Sequence, residues 1–361
     1  MASLRFIAGT QRQGWWFMVA KAWGERVDSR TSERVLLRDR VSQVGVPAGA
    51  TGKRGVEEMF VQNDSVSLCL LLNRRTKTMR VIDFRAGPSH AKRIFVLRLA
   101  KREGIEKVYT LVERDEVSTW VKLGFAKEAN IAGFYKRSDA FILGCSVDAN
   151  ASESDLRVPI GIEEDDDPMP DAPSAAHDFA EKTLVHAKKQ AKELGEGTSK
   201  TRPTPLPLTK IATVRETDAV VKKALEKAVR TCRALTAFEA FGRDVERRFF
   251  HLTSRGGFEL IASTESQSCF GNAFLELLTG PKTEAERLAT VAALRTLCDK
   301  LLAEGVVSCF AMSASDDVAL ATAYVFNGFR RTGLLQNHVT VGGVRKDAIV
   351  WSRKLANPAD E

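Results

Sequence analysis

The chain has 361 residues, 44% of them hydrophobic and 28% charged, with a net charge of +8. That length allows one to three domains and ample apolar chain for a core, and the composition is that of a globular protein. The basic residues are dispersed, with no run of five or more and no zinc-finger or RNP pattern, so they are read as solvated helix faces and not as a nucleic-acid interface.

Six cysteines (Cys69, Cys145, Cys232, Cys269, Cys298, Cys309) form no CxxC pair and sit mostly in apolar runs, the usage of buried thiols in a reducing compartment. Five histidines lie far apart, so no metal site is expected. The apolar run 14–20 (GWWFMVA) is too short for a secretory signal, and no stretch is long enough to span a membrane. The expected location is cytoplasmic, with no membrane partner.

Residues 1–55 show no coherent periodicity and read either as an N-terminal arm or as a segment packed on the core. From residue 56 the pattern sharpens. Residues 65–72 and 79–84 read as a hairpin across the polar turn NRRTKT. A break at Gly87-Pro88 is followed by a helix over 89–102 that Gly104 ends. Then come a strand over 107–112, a short helix over 115–123 closed by Gly124-Phe125, and strands over 129–135 and 140–145.

Residues 148–208 read as a linker: an acidic run from Glu163 to Asp167, three nearby prolines, and one helix over about 177–194, either tethered or docked. A second folded segment follows. It comprises a strand over 211–214, helices over 216–230 and about 234–241, and a hairpin of 247–252 with 258–263. A strand over 273–278 runs into Gly280-Pro281. The next helix, over 283–304, has Thr283 and Glu286 spaced as a capping box and Gly305 as its stop. A strand over 306–312, a helix over 316–326, Gly328-Phe329 and two closing strands over 331–337 and 348–355 complete the chain. Strand, Gly-Pro, helix, Gly, strand, helix, Gly-Phe thus occurs twice, an internal duplication. The domains expected are 1–55, 56–147, 148–208 and 209–356.

Residues 326–355 (FNGFRRTGLLQNHVTVGGVRKDAIVWSRKL) and 120–144 (WVKLGFAKEANIAGFYKRSDAFILG) resemble segments of the β-lysine N-acetyltransferase family, and the element order resembles the acyl-CoA-binding half of a GNAT N-acetyltransferase. The resemblance implies an α+β fold of two GNAT-like modules, the first truncated and the second complete. Each would be a mixed, mostly antiparallel sheet flanked by helices. It implies acetyl-CoA as cofactor and a small amine or amino-acid-like acceptor. It places the general-acid Tyr at Tyr324, four residues before Gly328, where the first module has Trp120. Glu276 in the preceding strand would serve as base through water, and Asn337 would contact substrate. The loop Leu278, Thr279, Gly280, Lys282 and Thr283 would present N–H groups to the pyrophosphate.

That loop departs from the family's glycine-rich pattern. Ala285 and Leu288 stand where an Arg and a Gly are usual, and Glu284 and Glu286 add negative charge. A second reading therefore stands beside the enzyme: a catalytically silent tandem protein whose linker and helix engage a protein partner.

Overall fold

The computed structural model describes residues 56–62, 66–74, 76–83, 90–135, 138–148, 175–196, 205–231, 246–254, 257–267, 271–278, 280–281 and 283–356. In chain order these hold β1 (Val56–Gln62), β2 (Ser67–Asn73), β3 (Thr78–Asp83), α1 (His90–Arg102), β4 (Lys107–Val112), α2 (Arg114–Lys122), β5 (Ala126–Ile131) and β6 (Ala140–Ser146). Next come α3 (Ala175–Glu196), β7 (Thr209–Val214), α4 (Ala219–Thr231), β8 (Glu246–Ser254), β9 (Glu259–Gln267) and β10 (Asn272–Leu277). The last elements are α5 (Glu284–Ala303), β11 (Ser308–Ala314), α6 (Val318–Phe326), β12 (Arg330–Val341) and β13 (Val344–Lys354). The helix expected over about 234–241 lies outside the described residues.

All thirteen strands form one sheet, in the order β1-β2-β3-β4-β6-β5-β12-β13-β11-β10-β9-β8-β7. Among the described residues only β3–β4 and β10–β11 are parallel, and each of these pairs is bridged by a helix, α1 or α5, as a parallel connection requires. The architecture is α+β, a mixed and mostly antiparallel sheet flanked by helices. Read inward from either edge, the two ends share one connectivity. β2-β3-β4-β6-β5 at one end corresponds to β9-β10-β11-β13-β12 at the other.

Strand alternation sends successive side chains to opposite faces. On one face α3, α5 and α6 bury Leu184, Leu294, Leu297 and Tyr324 against Leu252, Leu275, Leu277 and Trp351. α1 and α2 do the same with Val96, Leu99 and Trp120 over Leu70, Met79 and Val108. On the other face Tyr109, Ile131 and Phe134 pack with Phe274, Phe310, Leu335 and Val350, a core shared by the two ends of the sheet.

Local signals set the boundaries. Thr283 caps α5 by accepting the Glu286 N–H at 3.2 Å. Asp317 caps α6 by accepting from Leu320 N–H at 2.9 Å, so that helix starts two residues later than its sequence pattern. β5 stops at Ile131, four residues short of the expected 135. Gly133 adopts a positive φ of 65° there, and its N–H donates to Asp139 at 2.8 Å, closing a turn. α3 is docked: Ala180, Leu184 and Ala187 are buried, and Gln190 accepts hydrogen bonds from Arg287 of α5 (2.7 Å) and Thr322 of α6 (3.0 Å).

Candidate active site

β10 and β11 pair for only three residues, Asn272–Phe274 against Ser308–Phe310. Beyond that point β10 stays with β9 through Leu277 and β11 stays with β13 through Ala314, so the two strands diverge. A cavity of about 430 Å³ occupies the opening, lined by Glu276 and Leu277 of β10, Met312 to Ala314 of β11, Asp316 to Leu320 at the start of α6, and Val339, Val341 and Lys346 of the β12–β13 hairpin.

Backbone direction matters here. The Leu278 N–H donates to the Ile261 carbonyl at 2.9 Å. Strand groups alternate, so the N–H of Leu277 points the other way, toward the opening. Glu276 forms part of the wall and is 8% exposed. Lys346 forms an ion pair with Asp316 at the rim.

The other residues singled out from the sequence are dispersed. Tyr324 is fully buried on α6, stacked on Trp351 (centroids 5.6 Å, 27°) and edge-on to Phe329. It is not part of the cavity wall. Among the described residues its hydroxyl has no hydrogen-bond partner, and burial, with Glu276 and Asp317 nearby, holds it well above the usual tyrosine range. Asn337 is exposed at a bulge in β12, with a φ of 49°. Its N–H donates to Asp347 (2.7 Å) and its carbonyl accepts from Arg345 (2.6 Å), so it serves the bend of the hairpin, away from the cavity.

In the loop, Leu278 is buried with its N–H committed to β9, Gly280 is half-buried, and the Thr283 hydroxyl is committed to its own helix. Thr279 and Lys282 lie outside the described residues. The opening thus brings together a carboxylate-bearing residue and a strand N–H, whereas the described part of the α5 N-terminus has its capping hydroxyl engaged.

Sequence reasoning missed Ser313. It is a wall residue whose hydroxyl accepts the Trp351 indole N–H at 2.8 Å, and its partner lies 38 positions away.

The corresponding place at the other end of the sheet carries different side chains. Thr78 and Asn272 each begin a parallel ladder, against Lys107 and Ser308. Four residues on from each stand Ile82 and Glu276. Trp120 and Tyr324 correspond as well, because each carbonyl accepts the N–H of the Phe five residues later, Phe125 and Phe329, at 3.0 Å. Asp83 there forms a buried ion pair with Lys92 of α1.

Among the described residues no group of three or more His, Cys, Asp or Glu is placed to hold a metal ion, and no helix is long and apolar enough to cross a membrane. No protein-family model matches this chain. No curated protein matches it either.

Solved structures with a partial likeness include the ribosomal-protein-S18-alanine N-acetyltransferase of Escherichia coli, at 20% identity and a TM-score of 0.31 over 42% of this chain and 96% of that one. A Salmonella typhimurium protein described as an acetyltransferase and solved with its cofactor acetyl-CoA has 18% identity and a TM-score of 0.33, over 42% and 96% of the two chains. A ribosomal L7/L12 alpha-N-protein acetyltransferase in complex with coenzyme A has 11% identity and a TM-score of 0.33, over 42% and 96%. A likeness of this extent decides nothing about chemistry.

Proposed function

We propose that the chain is a tandem member of the GNAT superfamily with one working site, in the β10–β11 opening, that transfers an acetyl group from acetyl-CoA to a small amine or amino-acid-like acceptor such as β-lysine. One observation carries this reading: a parallel strand pair that parts after three residues and places Glu276 and the Leu277 N–H at the gap. The mirrored strand order and the two fragments quoted from the sequence support the tandem and family readings.

Bound at the gap, an acyl thioester supplies an activated carbonyl. Leu277 N–H is aimed to donate to the acyl oxygen, where charge develops. Glu276 takes one proton from the acceptor ammonium, directly or through water, so that the amine lone pair can form the C–N bond. The second proton lost by nitrogen goes to solvent or to the departing sulfur. The apolar part of the wall, Leu277, Met312, Val318 and Leu320, excludes competing water. In the first half Ile82 stands where Glu276 stands in the second, and the role of that half is to complete the shared core and brace β12.

A silent binding protein is the second reading, favoured by the engaged cap and the two acidic residues at the start of α5. Calorimetric titration of acetyl-CoA into the full-length chain separates the two. Micromolar binding, on the order of −8 kcal/mol, supports the enzyme, and absence of heat at high ligand concentration overturns it.

A further inference from the structure

We propose that Ser313, and not Tyr324, is the hydrogen-bond donor that meets the sulfur of the bound thioester. This assignment rests on the acyltransferase reading and extends it to the leaving-group side of the reaction.

Ser313 lies on β11 beyond the last parallel pair, is 4% exposed and forms part of the cavity wall. Among the described residues its side chain makes one hydrogen bond, which it accepts from Trp351 Nε1. With a lone pair of the oxygen taken by the indole, the hydroxyl proton is left for whatever fills the cavity. A hydroxyl that accepts one bond donates the next more strongly. Trp351 is fully buried and stacked on Tyr324, so the rotor it holds is fixed from behind.

Position supports the same role. Glu276 shares the sheet face of Phe274, whereas Ser313 shares the opposite face with Cys309 and Ala311. The residue that receives the ammonium proton and the residue that meets the sulfur therefore stand on either side of the opening. That is the separation a displacement needs: the C–N bond forms on one side while the C–S bond breaks on the other, its electron pair passing to sulfur. Tyr324 Oη, fully buried and off the wall, has no such access.

The test uses the full-length chain, Ser313→Ala, Ser313→Thr and Tyr324→Phe, with CoA as the probe. Thiolate absorbance of bound CoA followed against pH gives a readout independent of turnover. The wild-type chain is expected to ionise the bound thiol about one pH unit lower than Ser313→Ala does, with Ser313→Thr close to wild type. In acetyl transfer, Ser313→Ala is expected to lower kcat about thirtyfold at unchanged KM for acetyl-CoA, and Tyr324→Phe by less than about threefold. CoA binding with the same thiol titration in wild type and Ser313→Ala overturns this assignment alone, as does a larger loss in Tyr324→Phe. No CoA binding by the wild-type chain overturns the reading beneath it as well.

Discussion

Gly333 on β12 stands directly opposite Ala129 on β5, the single register pair that joins the two ends of the thirteen-stranded sheet. A Cβ at Gly333 would fall on the Cβ and Cα of Ala129 and on the Glu128 carbonyl, and two of these three are backbone atoms that cannot swing aside. Gly333→Ala is expected to destabilise by about 3 kcal/mol, the upper range for overpacking. Urea unfolding of the variant checks this. Ala129→Gly in the same chain should recover part of the loss by removing one of the clashing atoms.

Behind that seam lies the Lys107–Glu128 ion pair, with side chains 1% and 8% exposed. Burial raises the Glu128 carboxyl, and Lys107 acts against that shift. Gly144 approaches the pair so closely that an added Cβ would meet both charged groups. Glu128→Gln leaves the ammonium buried without its counter-ion and is expected to cost about 3–5 kcal/mol. The Lys107→Met, Glu128→Leu double variant should recover most of that loss. Equal stability of the single variant and the wild type in thermal unfolding would contradict the account.

His338 gives a pH signature. Its ring is 3% exposed, edge-on to Tyr109 at 4.7 Å, with Nδ1 unpartnered among the described residues. Burial, with Lys107 and Arg345 nearby, lowers its pKa to about 3. The unfolded chain protonates this histidine near pH 6.5 and the folded chain does not, so protons bind preferentially to the unfolded state between those values. Its contribution is therefore constant above about pH 6.5, and stability falls as pH drops toward 3, by about 1 kcal/mol per unit. Urea midpoints measured from pH 7 to 4.5 should show that slope for the wild type and a shallower one for His338→Gln.

The sequence was legible where a local physical signal existed. α5 was bounded by a capping threonine and a terminal glycine, β4 was a compact apolar run, and the paired Gly-Pro and Gly-Phe punctuation exposed the repeated order. β1 was missed because Val56–Gln62 carries two glutamates and becomes a strand only by pairing with β2. Glu276 was found from its place in a strand before a Gly-Pro break, and it does line the cavity. Tyr324 was placed by counting back from the Gly-Phe corner and Asn337 by its match to a strand asparagine of the family resembled, and neither signal can tell a wall from the layer behind it. Ser313 carried no local signal at all. Its significance comes from Trp351, a neighbour only after β11 and β13 pair.

Glu276 is the residue on which turnover should depend most. It is the sole carboxylate on the β10 side of the cavity wall, and its counterpart at the other end of the sheet is Ile82. Glu276→Gln keeps the side-chain volume and removes the base, so kcat is expected to fall about a hundredfold. Affinity for acetyl-CoA, measured by calorimetry, should stay within about threefold of wild type, because the role proposed for the carboxylate is on the acceptor. Raising pH should partly restore the variant, since a larger fraction of the amine then arrives without its extra proton. Ile82→Glu is expected to leave turnover unchanged, whether alone or combined with Glu276→Gln, because the buried Asp83–Lys92 pair remains. Activity of Glu276→Gln equal to wild type across the pH range would remove Glu276 from the mechanism. Activity gained by Ile82→Glu would show a second working site in the first half of the chain.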